Sequence, residues 1–129
     1  MSSVLVDTSV WIRFLAGREP FSAQLDGLLE REEVLAHELV YGELLIGDSG
    51  RGAQRKALLS SYAKLPYAAN LSHDEVVDFV VARELRGQGI GWIDAQLVAS
   101  ALVSKAAFWT ADENLRRIAT RLKLKTPPA

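Results

Sequence analysis

No cysteine occurs among the 129 residues, which excludes disulfides, thiolate zinc sites and thiol nucleophiles. A reducing cytosol is the compartment to expect. Long apolar runs are also missing: the least charged window, around Asp94, holds Gln96, Ser100 and three glycines, so no membrane span is expected. The first apolar stretch has no basic residues ahead of it and is broken by Asp7, which argues against a signal peptide. Excess charge is lacking too. A net charge of -1 argues against indiscriminate nucleic-acid binding.

The charges that are present are unevenly spread. Between Glu19 and Asp48 acids abound and Arg31 is the one base. From Leu115 onward there is no acid, while Arg116, Arg117, Arg121, Lys123 and Lys125 cluster. That cluster reads either as a solvated helix face with a basic tail or as a patch that holds phosphates. With 49% hydrophobic and 24% charged residues, the chain is expected to form one compact domain over residues 1–129. A domain of this size buries roughly two-thirds of its unfolded surface.

Four carboxylates stand where charge is otherwise scarce. Asp7 closes the run Val4-Leu5-Val6, and Glu43 sits alone between Leu39 and Gly47. Asp94 is the sole charge between Gly87 and Ser104, and Asp112 follows the uncharged segment Ala106 to Ala111. An acid among apolar neighbours tends toward burial, and a buried carboxylate without a partner is costly. Two carboxylates about 4 Å apart repel by roughly 4 kcal/mol at an effective dielectric of about 20. Singly, each acid could be a cap or a turn former. Together in space, they would ask for a cation.

The pattern of apolar and turn-forming residues predicts short strands at Ser2 to Val6, Val34 to Ala36, Tyr67 to Leu71 and Ala107 to Thr110. Helices are expected from Val10 to Ala16, from a Ser22 cap through Leu29, from His37 to Ile46 and from Ala53 to Ala63. A capping box at Ser72 and Glu75 should start a helix running through Leu85. Two more are expected from Trp92 to Val103 and from Glu113 to Leu122. Strands alternating with helices imply an α/β fold with a short, mainly parallel central sheet. In such folds ligands gather beyond the carboxyl ends of the strands, where Asp7 and Asp112 fall.

Two motifs are set aside. Gly47-Asp48-Ser49-Gly50 has the letters around a serine-protease nucleophile, but the only upstream histidine is His37 and a short α/β chain cannot supply that enzyme's paired barrels, so the motif reads as a loop. Gly87, Gly89 and Gly91 follow a helix rather than a strand, so they read as a helix stop and hinge rather than a nucleotide loop. His37 and His73 lie near helix starts and are expected to cap or face solvent. Trp11, Phe14 and Leu15 form a stripe expected in the core.

Four segments in order carry a resemblance: Val4 to Ile12 around Asp7, Val40 to Gly47 around Glu43, Gly89 to Leu97 around Asp94, and Trp109 to Leu115 around Asp112. Over nearly its whole length the chain resembles the PIN-domain ribonucleases, in particular VapC-type toxins of bacterial toxin–antitoxin pairs. Glu38 begins the same Glu-Leu-x-x-Gly string as Glu43 but lies too close to the preceding strand to match. The resemblance implies a single PIN-like domain in which Asp7, Glu43, Asp94 and Asp112 hold Mg²⁺ or Mn²⁺ and activate water against RNA. The products implied are a 5′-phosphate and a 3′-hydroxyl. Thr8 or Ser9 would orient a carboxylate or a bound water, and Arg116 and Arg117 would hold the RNA backbone. It also implies a cytoplasmic homodimer silenced by a VapB-type antitoxin. Two alternatives stay open: a non-catalytic PIN-like module that only binds a partner, and an aspartyl-phosphate-type phosphatase. The phosphatase would want an acid two residues after Asp7, where Ser9 stands.

Overall fold

The computed structural model describes residues 3–47 and 52–127. Its centre is β1 (Val4–Val6), a three-residue strand of β-branched and apolar side chains that is buried throughout. Burial on both faces is what a strand covered by helices on each side requires. β1 pairs in parallel with β2 (Val34–Leu35) on one side and with β3 (Ala107–Trp109) on the other, giving the order β2-β1-β3. Every pairing of the sheet is parallel.

The first crossover carries α1 (Thr8–Leu15) and α2 (Phe21–Glu30). The second carries α3 (Glu38–Ile46), α4 (Gly52–Ala63), α5 (His73–Ala82) and α6 (Trp92–Val103), and α7 (Glu113–Arg121) follows β3. The chain leaves β1 toward one edge of the sheet and returns to the other. The carboxyl end of β1 is therefore the switch point where such sheets open a crevice. Asp7 is the residue at that point.

The core fills as the apolar spacing predicts. Leu97, Val98 and Ala101 of α6 are buried in the cluster that contains Leu5, Val6 and Phe108. Trp11 lies edge-on to Tyr62 at 5.2 Å and to Phe14 at 5.7 Å, so the Trp11, Phe14, Leu15 stripe is core. Gly17, just beyond α1, adopts φ +69°, a conformation that suits glycine and ends the helix.

Three expectations are corrected. Ser22 does not cap α2: Pro20 holds that position without a side-chain bond, and Glu19 Oε1 accepts instead from Ala23 N at 2.8 Å. Tyr67 to Leu71 is not a strand. Only Tyr67 bridges to Ala36, after which Ala69 N turns to Ser104 Oγ at 2.8 Å and leaves the ladder. The helix begun by the Ser72–Glu75 capping box stops at Ala82, short of Leu85. Glu84 there takes φ +55°, and Leu85 N folds back to Val80 O at 3.0 Å, which turns the Leu85 side chain into the core. Of the segment Gly47-Asp48-Ser49-Gly50, read as a loop, residues 48–50 lie outside the described residues.

Candidate active site

Asp7 is only 6% exposed, and its carboxylate is held by three donors. Oδ1 accepts from Thr8 N at 2.9 Å; Oδ2 accepts from Ser9 Oγ at 2.8 Å and from Thr110 Oγ1 at 2.7 Å. The bonds follow from local structure. Asp7 ends β1 in extended geometry and caps α1, so the next two residues turn back over it. Thr110 directly follows β3, the neighbouring strand, and stands beside Asp7 because the two strands are in register.

Thr8 also reaches Glu43: its Oγ1 donates to Glu43 Oε1 at 2.7 Å. α1 thus holds two of the acids, one through each of its first two side chains. Glu38 points elsewhere. It is exposed and accepts from Asn70 Nδ2 at 3.0 Å.

Asp94 occupies the first turn of α6, where Oδ2 accepts from Gly91 N at 3.3 Å. Burial pushes its carboxyl above the ordinary aspartate range, and the nearby charges of Asp7, Asp112 and Glu43 push the same way. The Gly91 bond opposes this in part. Asp94 therefore lies within electrostatic reach of the other three predicted acids, although four different elements carry them. Asp112 caps α7, its Oδ1 accepting from Asn114 N at 2.9 Å and Leu115 N at 3.1 Å. Its own backbone N–H donates to Thr110 Oγ1 at 3.1 Å, which links it to Asp7.

Among the described residues no three acids or histidines are drawn into a single ligand cluster. Arg31 pairs with Glu33 at 3.3 Å, and among the described residues no such pair joins a cationic side chain to any of the four acids.

The predicted arginines differ from each other. Arg117 is exposed and donates to Asn114 Oδ1. Arg116 is half-buried and reaches Thr126 O at 3.4 Å, packing the C-terminal segment. Sequence reasoning passed over Thr110 and Arg13. Thr110 ties Asp7 to Asp112; the Thr-x-Asp string after β3 was the available signal. Arg13 donates from Nη1 to Ser9 O at 2.9 Å, one turn along α1, and only its helical spacing from Ser9 hinted at it. His37 is buried and caps α3, accepting from Leu39 N at 3.0 Å, whereas His73 is exposed.

An α/β domain with a parallel sheet and acids converging at the strand ends is the class that fold and site define. Residues 4–121 match the family described as PIN domain. Ribonuclease VapC32 of Mycobacterium tuberculosis, from strains CDC 1551 / Oshkosh and ATCC 25618 / H37Rv, is 41% identical over 114 residues, 88% of this chain and 87% of the relative. Similar in fold, at 20% identity and TM-score 0.59, is the crystal structure of PAE2754 from Pyrobaculum aerophilum, covering 95% of this chain and 90% of that one. The chain belongs to the PIN-domain family, as a VapC-type member.

Proposed function

We propose that this protein is an endoribonuclease toxin that depends on Mg²⁺ or Mn²⁺ and is silenced by a cognate VapB-type antitoxin. The observation that carries it is that Asp7, Glu43 and Asp112 lie close enough for their charges to act on Asp94 at the carboxyl end of a parallel sheet, with no ion pair to any of the four among the described residues. The relatives named as ribonucleases over most of their length supply the substrate class.

The donor set fits a hard divalent ion, since all four side chains offer carboxylate oxygen and the chain has no sulfur ligand of cysteine type. Asp7, Glu43, Asp94 and Asp112 are the residues that would hold it. Such an ion, when bound, lowers the pKa of water and offsets charge on the departing oxygen. The chain's own part is orientation. Ser9 and Thr110 fix Oδ2 of Asp7, Thr8 fixes Oε1 of Glu43, and Gly91 N fixes Oδ2 of Asp94. Each carboxylate is thus presented in one direction before any ligand arrives, which spares reorganisation later.

A protein partner is supported by apolar side chains left in solvent on α1 and α3: Ile12 at 53% exposure, Leu45 at 47% and Ile46 at 89%. A homodimer in the cytoplasm is part of the same proposal. No helix among the described residues is long and apolar enough to cross a membrane.

Purified protein should cut RNA with Mg²⁺ or Mn²⁺, stop in EDTA, and lose activity as Asp7→Asn. Cleavage that persists in EDTA, or full activity of Asp7→Asn, overturns the assignment. Turnover of small phosphate esters without RNA cleavage would favour the phosphatase instead.

A further inference from the structure

Trp92 is the one tryptophan in solvent: it is 42% exposed, whereas Trp11 and Trp109 are each 2% exposed. It opens α6 and borders a cavity of about 550 Å³, which Val80, Val81, Leu85, Arg86 and Ile90 also line. His73 is its ring neighbour among the described residues, at 5.3 Å. A volume of this order suits a small planar ligand.

The cavity adjoins the acidic centre through one residue. Gly91 lines it, and the same Gly91 donates its N–H to Asp94 Oδ2 at 3.3 Å. Arg86 and Glu84 are the charged residues that line the cavity itself, and three further arginines lie near the loop that forms its wall. Arg83 opens that loop with its guanidinium 5.7 Å from the Phe79 ring, turned away from this cavity, and Arg121 of α7 donates to Arg83 O at 3.2 Å. Arg117 bonds Asn114, whose Nδ2 in turn donates to Gln88 O at 2.9 Å. Gly89, at φ +81°, lets the loop approach so closely that an added Cβ would stand 3.1 Å from Asn114 Nδ2. Against these arginines the stretch from 83 to 91 carries a single acid, Glu84.

An exposed aromatic face, a largely apolar cavity and arginines on the flanking loop and helix are the combination that binds single strands: bases stack while cations follow the backbone. A protein interface of this size would deplete charge at its centre instead. We infer that this cavity takes one unstacked base of a single-stranded RNA, stacked on Trp92, while Arg86, Arg117 and Arg121 hold the adjoining phosphates. The inference rests on the reading of this chain as acting on RNA, and it names the part of the strand beside the one that is cut.

Intrinsic fluorescence tests it without cleavage, because the other two tryptophans are buried. A short single-stranded RNA, titrated into the protein in EDTA at low salt, should quench the emission saturably. Trp92→Ala should abolish that quench and weaken binding, followed by a labelled RNA, about tenfold. Trp92→Phe should recover most of the affinity, and Arg86→Gln should weaken it and flatten its salt dependence. With Mg²⁺ present, Trp92→Ala should raise KM for RNA while leaving kcat within about twofold. Binding that depends on Trp92 in a protein that cuts nothing would uphold this inference and sink the nuclease reading. Cleavage and binding unchanged in Trp92→Ala would do the reverse. A loss of self-association in sedimentation, with RNA affinity intact, would mean that a second copy covers the cavity, and would overturn the inference.

Discussion

At the residue scale, Thr110 carries the most specific expectation. Its hydroxyl donates to Asp7 Oδ2 at 2.7 Å and accepts from Asp112 N at 3.1 Å, in a position only 6% exposed. Valine has nearly the same shape, so Thr110→Val removes the two bonds without opening a cavity. Asp7 keeps Ser9 Oγ and Thr8 N, but Oδ2 loses its shorter anchor and the Asp112 N–H its partner. Groups that orient metal-binding side chains typically contribute about 10–100-fold in affinity or activity. Thr110→Val is therefore expected to lower RNA cleavage by roughly that range, with Thr110→Ser close to wild type. Initial rates across a Mn²⁺ titration check this. Equal rates for the valine variant would show that Ser9 Oγ and Thr8 N suffice to hold Asp7.

At the element scale, α3 depends on an unusual cap. His37 Nδ1 accepts from Leu39 N at 3.0 Å, while Nε2 lies 3.0 Å from Ser100 Oγ. An accepting Nδ1 requires the neutral ring, and burial holds its pKa below the ordinary histidine value of 6.5, partly opposed by the charge of Glu38. The folded pKa is lower than the unfolded one. The stability this contributes is fully present above about 6.5 and is lost as pH falls toward the folded value. Urea unfolding at pH 7.5 and 5.5 should show a wild-type loss that His37→Asn, which keeps a capping oxygen, does not share. His37→Ala should cost about 1 kcal/mol at the higher pH. The same element shows what could be read from letters alone. Glu43 stood out because a lone acid in an apolar helix needs a destination, and α6 was legible to the residue because glycines precede it. Thr110 was not, since its partner Asp7 is 103 residues away and only sheet register joins them. The end of α5 was hidden for a similar reason: burial of Leu85, a tertiary effect, outweighed a helical pattern that ran on.

At the scale of the whole molecule, folding draws Asp7, Glu43, Asp94 and Asp112 toward one end of the sheet from four separate elements, and repulsion among them works against the fold. Asp94 registers this most clearly, because burial and the three other acids raise its pKa above the unfolded value. A raised acid contributes stability that is present below the unfolded pKa and is lost as pH rises through the folded one. In EDTA at neutral pH, Asp94→Asn should therefore melt above wild type, by about 1–3 °C, since asparagine can still accept from Gly91 N. As pH falls the gain should shrink, because protonation of wild-type Asp94 removes the same charge that the substitution removes. A divalent ion should act through the same repulsion: at about 100 times its Kd it stabilises the wild type by about 2.7 kcal/mol. Asp94→Asn, with one charge fewer, should gain less from the same Mn²⁺ concentration. Melting curves of both proteins, with EDTA and with Mn²⁺, decide the matter. Equal gains from metal in the two proteins would mean that the ion sits elsewhere, and a wild type that melts above Asp94→Asn in EDTA would mean that the four acids do not strain the fold.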